Sequence, residues 1–327
     1  MPSSSEITII GSGIIGLLTA REFIKEGYSV TLIDKSSSSQ ESSWAGGGIL
    51  LPLYPWRQPE AISHLVIQSL KQYPSLSSEL INNTQIDPEW YDCGLLICKN
   101  PDIELVTNWC ESYNIPYQQP DQSMFDHLNT QASSPLWLPT IAQARNPRLL
   151  KSLKAYLINA GVTFVENCEI TACVINNGSI NSLSSNQGCF NVNQLIISTG
   201  AWTNQLSKKL IPNSPYNPEI SPVKGQMLLF DAKPDTLPYM ILDDEHYLIP
   251  RKDGKILVGS SVEYSDFDKS TSAETKDKLF SFATGLFPTL NNFPLINHWA
   301  GLRPGTKNGV PYIDKHPEIK NLAINAG

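Results

Sequence analysis

The sequence predicts an α/β protein in which a Rossmann-like nucleotide-binding domain is interleaved with an α+β domain built on antiparallel sheet. Three observations predict it. The opening ITIIGSGIIGLLTAREFIKEGYSVTLIDK, Ile7 to Lys35, reads as strand, glycine turn, helix, strand and acidic end. VNQLIISTGAWTNQL, Val192 to Leu206, repeats the sequence of buried strand, glycine turn and helix. Between about 220 and 262, SPVKGQMLLF, HYLIPR and GKILVGSSVE carry strand patterns at hairpin-like spacing. The expected division is 1–82, 141–218 and 300–327 for the nucleotide domain, and 83–140 with 219–299 for the other.

Each element has its own reason. The helix Gly13 to Glu26 places Ile14, Leu17, Leu18 and Phe23 on one face, and Gly27 ends it. The strand Ser29 to Ile33 is apolar on both faces, as a parallel strand covered on both sides must be. WAGGGILLPLYPW, after the serine-rich Ser36–Ser43, holds too many Gly and Pro for a regular element. Glu60 to Leu80 reads as a helix that Pro74 breaks or kinks. Residues 88–140, rich in Trp, Tyr and Pro, read as short strands and loops. Asn146 to Ala160 is a helix and Val162 to Glu166 a strand. Ser272 is the expected N-cap of a helix that stops at Phe287, before Pro288. Leu322 to Ile324 is a strand, and Asn325 to Gly327 opens a turn.

The composition excludes several classes. The chain has 327 residues and a net charge of −7, which gives a nucleic-acid role no electrostatic support. Met1 to Glu6 is polar, with no cationic start or leader-type apolar run, so a soluble cytoplasmic protein is expected. No apolar run approaches the roughly 20 residues of a membrane span. The six cysteines form no C-x-x-C pair and no metal-ligand spacing with histidine, so free thiols and no metal are expected.

The glycines Gly11, Gly13 and Gly16 have the G-x-G-x-x-G spacing of a dinucleotide fingerprint. Gly11 permits the turn out of the strand, Gly13 lets main chain approach a diphosphate, and Gly16 lets helix and strand pack closely. The helix N-terminus adds N–H donors and partial positive charge. Asp34 ends the next strand, about 20 residues on, where a carboxylate accepts ribose hydroxyls and repels a 2′-phosphate. NAD and FAD both remain open on this unit alone. The second glycine run, SSWAGGG, Ser42 to Gly48, follows directly and is either a flexible loop or main chain against which a flavin ring lies.

GSGIIG, Asp34-Lys35, SSWAGGGILLPLYPW and the late HWAGLRPGTKNGVPYIDKHPE together resemble the glycine oxidase branch of the D-amino-acid oxidase family. The resemblance runs through the whole chain and implies a Rossmann-like FAD-binding domain. By the same resemblance, Ile14 and Ile15 lie in the glycine turn against FAD, and Asp34 and Lys35 are the ribose-side pair. Ser42, Ser43, Gly47, Gly48 and Ile49 match the second flavin stretch, Ile170 a strand residue at the adenine, and Gly200 a further turn. The related monomeric sarcosine oxidases tether flavin to a late cysteine; Cys189 comes too early, so non-covalent FAD is expected.

An amino-acid substrate needs a cation for its carboxylate, and a guanidinium can hold it by two parallel hydrogen bonds. Arg303 matches the family's substrate arginine and Tyr247 its pocket tyrosine. No catalytic side chain beyond the flavin is expected. Arg251 is read as structural, and Trp202 and Trp299 as packing aromatics. The histidines share no spacing; only His246, beside Tyr247, is considered for the pocket mouth. The implied reaction takes glycine or a small amino acid or amine to the imine, O2 to H2O2, in thiamine thiazole biosynthesis. The alternative is a D-amino-acid or secondary-amine dehydrogenase using a quinone or other acceptor. The expected partners are that substrate and O2, with a homo-oligomer left open. Family members continue past the last strand with a His-x-Arg-Asn-Gly stretch bearing a second substrate arginine, so a truncated chain is the expectation from the ending NLAINAG.

Overall fold

The computed structural model describes residues 6–100 and 102–327, so the polar start at 1–5 and Pro101 lie outside the described residues. One sheet has six strands in the order Tyr312–Lys315, Leu322–Ala326, Gln194–Ile197, Ile7–Ile10, Val30–Ile33 and Thr163–Val165. All neighbours are parallel except the outermost pair, Tyr312–Lys315 with Leu322–Ala326. Parallel strands must be covered on both faces, and the two-residue period shows how. Ile7 and Ile9 pack with Leu17, Leu80 and Leu153 of the helices Ile14–Lys25, Glu60–Thr84 and Asn146–Asn159. Ile10 and Ile33 face the other way, onto Ile170, Ile180 and Leu183 of a three-stranded antiparallel sheet and Leu210 of the helix Thr203–Leu210.

A second sheet has eight strands and runs Glu263–Tyr264, Ile220–Phe230, Ile256–Gly259, His246–Pro250, Met240–Asp243, Leu95–Ile97 and Leu136–Leu138, with Leu295–Thr306 also paired to Ile220–Phe230. One face presents Met227, Tyr247, Ile249 and Leu257 to Leu51, Tyr54 and Trp109. The opposite face presents Leu228, Leu248, Ile256 and Val258 to Leu279, Ala283 and Leu286 of the helix Ala273–Leu286. Ser272 caps that helix by accepting from the Thr275 N–H at 3.2 Å. The α/β class with a Rossmann-like unit and an antiparallel-sheet unit is therefore the observed fold.

Three local expectations are corrected. Of the break or kink expected at Pro74, the break does not occur: Glu60–Thr84 is one helix, with Pro74 inside it. The buried Leu76, Ser77 and Leu80 continue its packed face beyond the proline, so tertiary packing outweighs the lost hydrogen bond. The segment 88–140 contains the helix Ile103–Tyr113, whose buried Val106, Trp109 and Cys110 recur at helical spacing within an aromatic-rich stretch. The last strand continues through Ala326, where a turn is expected at Asn325. Among the described residues no helix is long and apolar enough to cross a membrane.

The packing at the start of the first helix is testable. A methyl on Gly16 would lie 1.9 Å from the Gly11 carbonyl oxygen and 3.7 Å from Ile9 Cγ2. Overpacking of this kind costs about 1–3 kcal/mol or more. Gly16→Ala is expected to lower Tm by several degrees, read by thermal unfolding.

Candidate active site

A cleft of about 530 Å³ opens at the C-terminal ends of the parallel strands Ile7–Ile10 and Gln194–Ile197. This is where an open parallel sheet places its ligand. Gly11, Gly13, Ile14, Ile15, Asp34, Lys35, Ser42, Ser43, Ile170 and Gly200 all line it. Gly11 turns the chain with φ of 103°, and a methyl there would meet the Ser198 carbonyl oxygen at 2.4 Å. The helix that follows has no side-chain cap of its own. The Ile14 N–H instead donates to Ser43 Oγ at 2.9 Å, so a hydroxyl from the second loop sits on the helix N-terminus.

The Asp34 carboxylate is fixed by four donors. Ser12 donates through N–H at 2.8 Å and Oγ at 2.7 Å, and Ser36 through N–H at 3.1 Å and Oγ at 3.2 Å. Lys35 holds its ammonium 3.9 Å from the centre of the Trp202 ring, and burial lowers its pKa. The loop after Asp34 is tied down from behind. Ser39 Oγ donates to the Ser12 carbonyl at 2.8 Å, and Ser38 donates through N–H and Oγ to Glu166, which also takes Lys154 Nζ at 2.8 Å.

The remaining expected residues lie outside the lining of this cleft. Gly16 is behind the turn, against Gly11. Gly47, Gly48 and Ile49 carry the chain from the cleft to the second sheet: the Gly48 carbonyl accepts from the Ala144 N–H at 2.9 Å, and Ile49 bridges to Gln143. A methyl on Gly47 would reach Ile249 Cδ1 at 2.8 Å and Tyr247 Oη at 3.4 Å, so this loop lies directly on the face that bears Tyr247. Arg303 is on the strand paired with Ile220–Phe230, two residues from Gly301, which abuts Ala45. Its guanidinium donates to the Ser261 carbonyl at 3.2 Å and to Ser260 Oγ. Tyr247 and Arg303 thus belong to the sheet face that meets the second glycine loop.

His246 is not at that face. Neighbouring strand residues point to opposite sides, and the imidazole packs on Phe282 with ring centres 4.8 Å apart. Trp299 is a packing aromatic, 5.8 Å from Trp44 and donating to the Ala45 carbonyl at 3.1 Å. Trp202, in contrast, lines the cleft beneath Lys35.

Five residues escaped the sequence reading in part or whole. Ser12 lies between the fingerprint glycines, and its position opposite Asp34 follows from that motif once the strands pair. Asn146 lines the cleft and donates to the Ser43 carbonyl at 2.8 Å. Ser260 and Ser261, in the connection just past the strand Ile256–Gly259, hold Arg303. Arg251, read only as structural, is 6% exposed and donates to the carbonyl of Gly47 at 2.7 Å and to Gln143 Oε1 at 2.6 Å. Burial, with Arg145 nearby, brings its pKa down to about 10, so it stays charged at neutral pH. The guanidinium ties the glycine loop to the second sheet.

These residues suit a dinucleotide. Asp34 and the helix N-terminus border the same cleft. Ser198, also in its lining, has a buried hydroxyl with no hydrogen-bond partner among the described residues, as expected of a group that awaits a ligand.

The chain matches the model of the family described as FAD dependent oxidoreductase, DAO, over residues 6–327. It is 36% identical to the glycine oxidase of Pseudomonas aeruginosa over 329 residues, covering 99% of this chain and 89% of that protein. It is 27% identical to the bifunctional protein ThiO/ThiG of Synechocystis over 337 residues, covering 100% of this chain and 49% of that protein. Its fold matches the crystal structure of glycine oxidase from Geobacillus kaustophilus with a TM-score of 0.91 at 24% identity, over 99% of this chain and 89% of that one. The chain belongs to the FAD dependent oxidoreductase family, and its dinucleotide is FAD.

Two outcomes follow. Arg251→Met strips the guanidinium from the buried Gln143 Oε1 and the half-buried Gly47 carbonyl, at about 1–3 kcal/mol for each left unpaired. It is expected to lower Tm by several degrees and weaken FAD binding at least tenfold, read by fluorescence titration of the apoprotein; Arg251→Lys, which lacks the planar fork, restores little. Burial pushes the Glu166 carboxyl up, but hydrogen bonds from Lys154 and Ser38 outweigh it and hold the pKa at about 2. Its folded value lies below the unfolded value of about 4.3, so its contribution is present above pH ~4.3 and is lost as pH falls toward 2. Across that window the Tm of the wild-type protein is expected to fall more steeply than that of Glu166→Gln.

Proposed function

We propose that the protein is an FAD-dependent oxidase of glycine or a comparably small amino acid or amine. The product is the imine, which water converts to the keto acid and ammonia, and O2 is reduced to H2O2. The observation that carries this reading is the placement of Arg303 and Tyr247 on the sheet face that meets the second glycine loop. The likeness to a glycine oxidase across nearly the whole chain supports the substrate class. The likeness to a ThiO/ThiG protein supports a role in thiamine thiazole biosynthesis. A cytoplasmic setting is part of the proposal, and the six free thiols suit a reducing compartment.

Asp34 would take the ribose hydroxyls of FAD, and the N-terminus of Ile14–Lys25, with Gly13, Ile14, Ile15, Ser42 and Ser43, would border its diphosphate. Ile170 would meet the adenine through the main chain, Lys35 and Gly200 would line the same cleft, and Gly47, Gly48 and Ile49 would lie toward the flavin. Bound FAD supplies the two-electron acceptor for the hydrogen on Cα. Everything else is positioning. Arg303 holds the carboxylate by a charge-assisted fork, its orientation set by Ser260 and Ser261. Tyr247, 7% exposed, offers its hydroxyl as a further donor from the strand His246–Pro250 on the same sheet face. The buried apolar neighbours of Tyr247, among them Met227, Ile249 and Leu257, exclude water from that side.

Glycine added without air is expected to bleach the oxidised flavin spectrum, and with air to yield H2O2. A spectrum unchanged by glycine, sarcosine and small D-amino acids sinks the proposal. Bleaching with negligible oxygen consumption assigns a dehydrogenase instead. Arg303→Ala is expected to raise the KM for glycine about 100-fold while FAD stays bound, since a charged hydrogen-bonded pair contributes ~1.5–3 kcal/mol.

A further inference from the structure

Two glycines lie in the central strands of the second sheet, where glycine is otherwise unfavourable because it has no side chain to pack. Neither Gly225 nor Gly259 has a backbone angle that only glycine tolerates. Their reason is space. A methyl on Gly225 would lie 2.5 Å from Arg303 Nη1, 2.6 Å from Nη2 and 2.7 Å from Cζ, so its three nearest neighbours all belong to one guanidinium. A methyl on Gly259 would lie 2.5 Å from Tyr247 Cε2 and 2.6 Å from Cζ and Oη. Register explains the arrangement: Val223 pairs with Arg303 and Gly225 with Gly301, so the guanidinium crosses diagonally onto position 225. Met227 and Tyr247 both pair with Gly259. Each side chain proposed to hold the carboxylate therefore rests flat on a bare strand glycine.

We propose that Gly225 is a positioning residue for the substrate carboxylate, because it recesses the Arg303 guanidinium against the strand floor while Ser260 and Ser261 fix its direction. This rests on the reading of Arg303 as the carboxylate ligand. A Cβ at 225 would lift the guanidinium by about an ångström, and a displacement of that size at a binding group can cost roughly 100-fold in reactivity. The obstructing atoms are the far end of a long side chain, so the backbone of Gly225→Ala is unobstructed and the variant is expected to fold.

The test is a double-mutant cycle on the FAD-loaded protein with Gly225→Ala, Arg303→Met and both together. KM and kcat for glycine are measured by H2O2 release, acetate binding by the change it causes in the flavin spectrum, and Tm by thermal unfolding. Gly225→Ala is expected to retain FAD and to raise both KM and the acetate Kd at least tenfold, with kcat changed less. Adding Gly225→Ala to Arg303→Met is expected to change neither by more than twofold. Unchanged KM and Kd in Gly225→Ala, or equal effects in the two backgrounds, overturn the proposal. If Gly225→Ala loses its fold or its flavin, recovery in the double variant supports the proposal and failure to recover overturns it. Unchanged glycine KM and acetate binding in Arg303→Met alone would remove the carboxylate role of Arg303, a separate failure that also ends this inference.

Discussion

Main chain laid directly on main chain is the constraint on which this protein depends. The Gly11 turn passes so close to Ser198, and the first helix so close to Gly11, that methyls at positions 11 and 16 would both meet carbonyl oxygens inside van der Waals contact. This proximity brings three things to one cleft: the N-terminus of the helix, the end of the strand Gln194–Ile197 and the carboxylate at the end of Val30–Ile33. Side chains at those positions would separate the layers, and the donors would no longer converge on one ligand.

The second sheet connects to that cleft through the loop Ser42–Gly48. Ser43 reaches back to the helix N-terminus, Ser42 donates to the Leu302 carbonyl, and Arg251 holds the Gly47 carbonyl from below. A buried guanidinium whose near acceptors are carbonyl and amide oxygens is an expensive device, tolerated because several acceptors converge on it. Here it joins the loop to a β-strand carrying Tyr247. The two sheets are thereby held in one relation to each other by polar contacts, although their apolar cores are separate clusters.

Much of the cleft was legible in the linear chain because local geometry creates it. G-x-G-x-x-G between a strand and an amphipathic helix, with Asp34 after the next strand, involves residues within one βαβ unit, and such a unit folds the same way wherever it occurs. Ser12 was hidden in that motif: its hydroxyl matters only because parallel pairing of Ile7–Ile10 with Val30–Ile33 sets it opposite Asp34. Pro74 does not break its helix, because proline rules describe an isolated helix, whereas Leu76 and Leu80 are anchored in a core. The helix Ile103–Tyr113 went unread in a stretch where tryptophan, tyrosine and proline obscure the period.

The sequence by itself determined the nucleotide-binding unit, since residue type and short-range spacing suffice for it, and its resemblance to a known family singled out Arg303 and Tyr247 as candidates for the substrate. Only the tertiary structure decided which residues far apart in the chain touch. His246 turned away from Tyr247 through strand alternation, Arg251 became the anchor of the glycine loop, and Gly225 became the floor beneath Arg303. Those contacts join residues from fewer than 40 to more than 200 positions apart. Antiparallel register and the direction of each side chain from its strand set them, and neither is encoded in any local run of residues.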